Sequence, residues 1–240
     1  MRSLSVVVPA YNEEQRLPST LDAILAYLRR PESEFGPWEL IVVNDGSRDG
    51  TADLVKRVSQ NEPNVRLLDN PGNKGKGFSV RHGMLAARHE WVLFSDADLS
   101  APIEELPKLF AANSPVAVGS RALDRSLIGT HQSLFREVGG RFFNLMVQMG
   151  TGLRLWDTQC GFKLFRRDAA QAVFQRLRLE RFGFDVEALF IARKLGFSIA
   201  EVPVRWNHVD GTKVSIASDS VDMFGDIVRV RWNSWKGLYR

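Results

Sequence analysis

Leu40-Ile41-Val42-Val43-Asn44-Asp45-Gly46-Ser47 is the stretch that decides the fold. Four aliphatic residues with no polar alternation read as a strand buried on both faces. The run stops at an Asn-Asp-Gly-Ser turn, and Thr51 to Val58 then places Leu54, Val55 and Val58 on one face of a helix. The same unit recurs on either side. Leu4 to Val8 is a compact apolar strand that leads into Pro9-Ala10-Tyr11-Asn12-Glu13, and Glu14 to Arg30 carries Leu17, Leu21, Ile24, Leu25 and Leu28 at helical spacing. Downstream, Val65-Arg66-Leu67-Leu68 is a third strand and Lys76 to Arg88 a helix. Trp91-Val92-Leu93-Phe94 is a fourth strand, ending in Ser95-Asp96-Ala97-Asp98. Apolar strands separated by helices predict an α/β protein, with a Rossmann-like, mostly parallel sheet and helices on both faces. Ligands of such sheets bind at the carboxyl ends of the strands, so the three polar loops are expected to form one site.

The second half is less regular. Val116 to Arg121 reads as a strand leaving the core, Leu134 to Met149 as a helix, Phe162 to Phe165 as a short strand, Asp185 to Lys194 as a helix and Ile199 to Val204 as a strand. Ser220 to Tyr239 is amphipathic. Val221, Phe224, Ile227, Val228, Trp232, Trp235, Leu238 and Tyr239 fall mainly on one face, accompanied by Arg229, Arg231, Lys236 and Arg240. Aromatic and basic residues together suit a helix lying in a membrane interface; a terminal helix packed on its own domain also has an apolar face. No repeat or linker divides the chain. It is read as one domain over 1–215 with a C-terminal amphipathic helix over 216–240.

With 240 residues, 44% of them hydrophobic, the chain is long enough for one large core. Its 32 Lys+Arg and 28 Asp+Glu leave a net charge of +4, too small a surplus to call for nucleic acid. It suits phosphate-bearing ligands or an anionic membrane. The single cysteine, Cys160, excludes an internal disulfide and a multi-cysteine metal site, and is compatible with a reducing compartment. The apolar run at Leu4 is too short for a signal peptide, and no stretch approaches the ~18 apolar residues of a membrane span. A cytoplasmic protein, peripheral on the cytoplasmic face of a membrane, is expected.

Asp96-Ala97-Asp98 carries the sharpest chemistry. Two carboxylates at i and i+2 beyond a buried strand can hold Mg²⁺ or Mn²⁺ against a diphosphate; the same pattern also serves as a helix-capping loop. Asp45, at a strand's carboxyl end, can accept a hydrogen bond from a base, while Gly46, Asp49 and Gly50 are accounted for by a turn and a helix cap. Gly72-Asn73-Lys74-Gly75-Lys76-Gly77 fits neither the phosphate-loop spacing nor the dinucleotide fingerprint, and taken alone reads as a mobile surface loop. The four histidines show no paired metal spacing.

Taken jointly, Val8-Pro9-Ala10-Tyr11-Asn12-Glu13-Glu14, Val43-Asn44-Asp45-Gly46-Ser47 and Asp96-Ala97-Asp98 resemble the three nucleotide-sugar motifs of inverting family-two glycosyltransferases. Asp157-Thr158-Gln159-Cys160-Gly161-Phe162-Lys163 and Phe184-Asp185-Val186-Glu187 are similar to the dolichyl-phosphate β-glucosyltransferase branch. The resemblance runs from residue 6 to about residue 213. It implies a GT-A fold, a nucleotide-sugar donor such as UDP-glucose, a polyprenyl-phosphate acceptor and an Mg²⁺ or Mn²⁺ cofactor.

It also implies residue roles. Pro9, Tyr11, Glu13, Val43 and Asp45 would cradle base and ribose. Asp96 and Ala97 would touch the nucleotide, and Asp98, with Asp96, would hold the metal. Arg121 would bind phosphate, Lys213 would reach the diphosphate from a late loop, Lys163 would face the acceptor phosphate, and Asp185 would lie near the acceptor. The chain departs from the family pattern at Asn44, where an aspartate is usual, and at Ser100, where the mannose synthases often carry a glutamine ligand. Eukaryotic glucosyl members tend to have an N-terminal anchor, which this chain is expected to lack. A lipid phosphate is already an anion and can attack in line without a base. A hydroxyl acceptor would need one, with Asp185 as the candidate. The alternatives are a soluble or polysaccharide acceptor, or a non-catalytic nucleotide-sugar binder. A Rossmann oxidoreductase is disfavoured, since the first strand leads to no Gly-rich turn.

Overall fold

The computed structural model describes residues 1–30, 35–130, 134–207 and 216–240; for 130, 134–138, 141–143 and 216–224 it describes the backbone alone. In chain order the elements are β1 (Arg2–Ala10), α1 (Leu17–Leu28), β2 (Phe35–Asn44), α2 (Thr51–Asn61), β3 (Val65–Asp69), α3 (Lys76–Ala86), β4 (Trp91–Ser95), α4 (Leu106–Ala111), β5 (Val116–Ser120), β6 (Ile128–Thr130), α5 (Leu134–Thr151), β7 (Phe162–Arg166), α6 (Arg167–Arg176), α7 (Phe184–Lys194), β8 (Ile199–Pro203), β9 (Trp206–Asn207) and α8 (Ile216–Trp235).

Seven strands form one sheet in the order β3-β2-β1-β4-β7-β5-β8. β1 pairs in parallel with β2 (Val6 opposite Leu40) and with β4, β2 with β3, and β5 with β8. Successive side chains of a strand point to opposite faces. Val6, Val8, Leu40 and Val42 therefore pack under α1, where Leu17, Leu21, Ile24, Leu25 and Leu28 are buried. Val7, Ile41 and Val43 pack under α3 with Val80 and Met84. Each such side chain, withdrawn from water, contributes about 1.5–3 kcal/mol. This is the expected α/β architecture, covered on both faces.

One strand runs against the rest. β7 is antiparallel to both neighbours, with Phe162 opposite Ser95 of β4. Its start therefore lies at the carboxyl ends of the parallel strands, and the segment 156–161 joins the rim formed by the loops after β1, β2, β4 and β5. Two helices had not been read from the sequence, α4 and α6. α6 follows β7 with no intervening loop and buries Ala169, Ala170, Val173 and Phe174.

The C-terminal helix packs on α5 and near α7. A Cβ at Gly150 would meet Ile227 Cγ2 at 2.4 Å, and one at Gly183 would meet Asp226 Oδ2 at 2.3 Å, so both glycines permit the close approach. Its apolar residues do not share a single face, as the sequence had indicated. Ile227 and Val230 turn into the core, and Tyr239 beyond the helix is fully buried, whereas Val228 (59% exposed), Trp232 (53%) and Trp235 (76%) stand out in solvent. Val221 and Phe224 lie outside the described side chains. Among the described residues no helix is long and apolar enough to cross a membrane.

Candidate active site

The rim is braced from loop to loop. Asn12, in a left-handed conformation (φ 53°) that asparagine tolerates, accepts from Arg48 N at 2.8 Å, while its own N–H donates to Ser47 Oγ at 2.9 Å. Glu13 N–H donates to Thr51 Oγ1 at 2.8 Å, and the Glu13 carboxylate holds Arg16 at 2.8 Å. The first two motif loops thus form one rigid wall, with half-buried Tyr11 on it. Pro9 and Val43 lie inside strands. Both are buried, and Val43 packs beneath α3 close to Gly83, so only its backbone faces the rim.

Asp45 is buried at the end of β2. Its carboxylate accepts from Asn70 Nδ2 (2.8 Å), Lys74 N (2.9 Å) and Gly75 N (2.8 Å). It therefore braces the Gly/Lys loop, in addition to whatever it offers a ligand. That loop is exposed over 71–74 but packed at its end, where the helix begins. A Cβ at Gly75 (φ 101°) would meet Glu180 O at 2.4 Å, and one at Gly77 would meet Leu179 O at 2.5 Å. Asn44 is explained by its neighbour: its Nδ2 donates to Asp69 Oδ1 at 2.8 Å, where an aspartate would set two carboxylates face to face.

Asp96 and Asp98 follow β4, both half-buried. Asp96 N donates to Gly161 O at 3.0 Å, Thr20 Oγ1 donates to the buried Ala97's carbonyl at 2.6 Å, and Ser100 N donates to Asp98 Oδ1 at 3.0 Å. The loop is therefore held by α1, by the start of β7 and by itself. Asp96 Oδ1 is shielded from water, and the Lys76 ammonium lies 2.7 Å from it. Burial disfavours that ammonium's charge, but Asp96, Asp185 and Asp98 outweigh it and raise its pKa.

A second ion pair lies deeper. Lys163 is 1% exposed and donates to Cys160 O at 2.6 Å and to Asp185 at the start of α7. Its Nζ is 5.6 Å from the Phe94 ring centroid, with that of Lys76 at 5.5 Å. Burial pushes the Asp185 carboxyl up against the pull of Lys163 and Lys76. Lys163 and Asp185 thus satisfy each other inside the protein and are not open at the rim. Burial, then Asp157, pushes the Cys160 thiol to about 12, which keeps it neutral.

Arg121, just after β5, is clasped by Asp157: Nε to Oδ2 at 2.6 Å and Nη2 to Oδ1 at 2.9 Å, with the backbone N–H of Arg121 also on Oδ2. Burial opposes charge on both groups, but the pairing holds the Asp157 carboxyl below its ordinary range and the guanidinium above its own. Glu201 of β8 accepts from Trp156 N and Asp157 N, which fixes the clasp in turn. In the same loop Thr158 Oγ1 and Gln159 Nε2 are buried without a partner among the described residues.

Asp96, Asp98, Lys76, Arg121 and the Lys163–Asp185 pair are thus brought to one end of the sheet, next to the walls that carry Tyr11, Glu13 and Asp45. Lys213 lies outside the described residues. Reading the sequence had missed Lys76, Asp157 as the partner of Arg121, and Glu201. Only Lys76 carried a local signal, its flanking glycines.

The family model for glycosyl transferase family 2 matches residues 5–174. The chain is 40% identical to a dolichyl-phosphate beta-glucosyltransferase of Trichomonas vaginalis, over 97% of this chain and 75% of the relative. It is 43% identical to a dolichyl-phosphate beta-glucosyltransferase of Drosophila melanogaster, over 88% of this chain and 69% of the relative. In fold it is similar to glucosyl-3-phosphoglycerate synthase from Mycobacterium tuberculosis, solved with Mn²⁺, uridine-diphosphate-glucose and phosphoglyceric acid: TM-score 0.69 and 20% identity, over 95% of this chain and 79% of that one.

Proposed function

The chain belongs to glycosyl transferase family 2, and we propose that it transfers glucose from UDP-glucose to a polyprenyl (dolichyl-type) phosphate, inverting the anomeric carbon. The observation that carries this reading is the identity to dolichyl-phosphate glucosyltransferases along nearly the whole chain. The geometry favours the same acceptor class. Asp185, the base that a hydroxyl acceptor would need, is buried and tied to Lys163. A phosphate acceptor arrives already ionised and needs no such base.

A divalent cation fits the residues present. Among the described residues no cluster of three His, Cys, Asp or Glu side chains could enclose one. Two hard carboxylates, Asp96 and Asp98, stand where a diphosphate could supply further oxygens, which is how Mg²⁺ and Mn²⁺ are commonly held beside nucleotides. When bound, such an ion would neutralise charge on the departing diphosphate.

The chain's own residues position the reactants. Loops 9–14 and 44–51 form the wall for base and ribose through Tyr11, Glu13, Asp45 and the backbone at Pro9 and Val43. Asp96 and Ala97 border the nucleotide. Arg121, steered by Asp157, keeps guanidinium N–H groups for phosphate oxygens, and Lys213 is assigned to the diphosphate. Lys163 acts from below, as part of a fixed charge pair, instead of touching the acceptor. An acceptor phosphate oxygen attacks the anomeric carbon as the bond to UDP breaks, and UDP leaves with the electron pair. The GT-A domain is assigned to 1–215, with the helix of 216–240 packed onto it through Ile227, Val230 and Tyr239. Leu145 and Met149 of α5, with Val228, Trp232 and Trp235 of α8 and the cations Arg229, Arg231 and Lys236, form the surface assigned to a peripheral contact on the cytoplasmic face of a membrane.

The test is label transfer from several sugar nucleotides to polyprenyl phosphate with Mg²⁺ or Mn²⁺. UDP-glucose is the expected donor, and Asp98→Ala is expected to lose at least ~10²-fold in rate while remaining folded, since it removes charge stabilisation at the leaving group. Full activity in Asp98→Ala would remove its metal role, and transfer only to soluble acceptors would overturn the acceptor assignment.

A further inference from the structure

Two lysine–aspartate pairs lie side by side against one ring, and they differ in a way that matters. Lys163–Asp185 is sealed, with side-chain exposures of 1% and 4%. Lys76–Asp96 is partly exposed, with side-chain exposures of 26% and 28%, although Asp96 Oδ1 itself is shielded. The inner pair is a fixed part of the protein. The outer pair is accessible, and it occupies a carboxylate that the proposed metal site also needs.

Lys76 is held for this position with unusual firmness. It is the first residue of α3, between two glycines that the structure cannot replace without collision. Gly75 lies against Glu180 O, and Gly77 against Leu179 O and Phe184 Cβ. Phe78 N donates to Glu180 O at 3.2 Å, and Asp45 fastens Lys74 N and Gly75 N on the other side. The backbone is clamped on both sides, and four methylenes carry the ammonium from it to Asp96. The ammonium lies 2.7 Å from Asp96 Oδ1, a contact of opposite charges for which a second cation can compete.

We propose that Lys76 is a counter-cation that occupies Asp96 in the metal-free enzyme and exchanges it for the divalent ion only when a nucleoside diphosphate arrives to take the ammonium. The inference rests on the metal and donor reading above and adds an order to it. A divalent ion alone meets a carboxylate already neutralised and is repelled by the ammonium. With a diphosphate present, the ammonium gains a new anionic partner, Asp96 is released, and ion and nucleotide bind together. The site is thereby kept from filling with metal in the absence of donor.

The experiment measures Mn²⁺ binding to the full chain by electron paramagnetic resonance of the free ion, with and without UDP. In the wild type, Mn²⁺ alone is expected to bind weakly and UDP to tighten it. Lys76→Met is expected to bind Mn²⁺ alone about ten-fold more tightly, the scale of one removed neighbouring charge, and to lose most of the tightening by UDP. Lys76→Arg retains the charge and is expected to behave like the wild type, which guards against a folding defect in Lys76→Met. Unchanged Mn²⁺ affinity in Lys76→Met, with UDP coupling intact, would overturn the counter-cation. If the wild type binds no Mn²⁺ even with UDP, the metal reading itself fails.

Discussion

Asp157 and Arg121 lie 36 positions apart in sequence and meet because β7 enters the sheet backwards. The clasp turns Arg121 into a rigid, permanently charged group, and its cost and benefit are visible as pH dependence. The Asp157 carboxyl is lowered in the folded state, so the stability it contributes is present above the unfolded value near ~3.9 and is lost as pH falls through the folded pKa. Asp157→Asn is expected to lose about 2–3 kcal/mol near neutral pH, at or below the lower end for a broken buried pair because Arg121 is partly open to solvent. The gap between the two proteins should begin to narrow below pH ~4 and close only as pH passes the lowered folded pKa of the wild-type carboxylate. Denaturant unfolding across pH reads this directly, and a gap independent of pH would contradict it. At this scale the motif loops were legible in the sequence, because a strand and the loop after it are local. The pairings of Arg121 with Asp157 and of Lys163 with Asp185 were not, because each depends on where β7 lies.

At the scale of elements, the helices and strands with clear periodicity were legible from β1 through β4. α6 was hidden, since Arg166 ends a strand and Arg167 begins a helix with no turn residues to mark the change. β6 and β9 have three and two residues, too few for any pattern to register. α8 was legible as a helix, but its apolar residues were not divisible in advance into inward and outward sets. Ile227 and Val230 serve the core, and the Tyr239 hydroxyl donates to Glu187 of α7. Truncating 220–240 would therefore damage the fold along with any membrane contact. Substituting outward residues avoids this. Trp232 and Trp235, with rings 5.1 Å apart, are more than half exposed. Trp232→Ser with Trp235→Ser is expected to weaken partitioning onto anionic vesicles by about ten-fold or more, from lost interfacial burial, while UDP binding stays unchanged. Unaltered partitioning would discard this surface as the membrane contact.

On the scale of the whole molecule, the antiparallel β7 unites two halves that the sequence presents very differently. The first half, through β4, supplies the loops proposed as walls for a nucleotide and the Asp96–Asp98 pair. The second half brings Arg121 to the same rim and the sealed Lys163–Asp185 pair beneath it, and its C-terminal elements carry the exposed aromatic surface. A sugar nucleotide on one side and a lipid phosphate on the other can then meet over Asp98 with no proton to remove. The most direct measurement of that claim is the structure of the product. Incubating the protein with UDP-glucose, a divalent ion and polyprenyl phosphate should yield an organic-soluble glucosyl phosphate lipid. Its anomeric linkage, read by proton and phosphorus magnetic resonance, should be β, inverted from the α-linked donor. An α-linked lipid, or glucose recovered only in water-soluble products, would contradict the account.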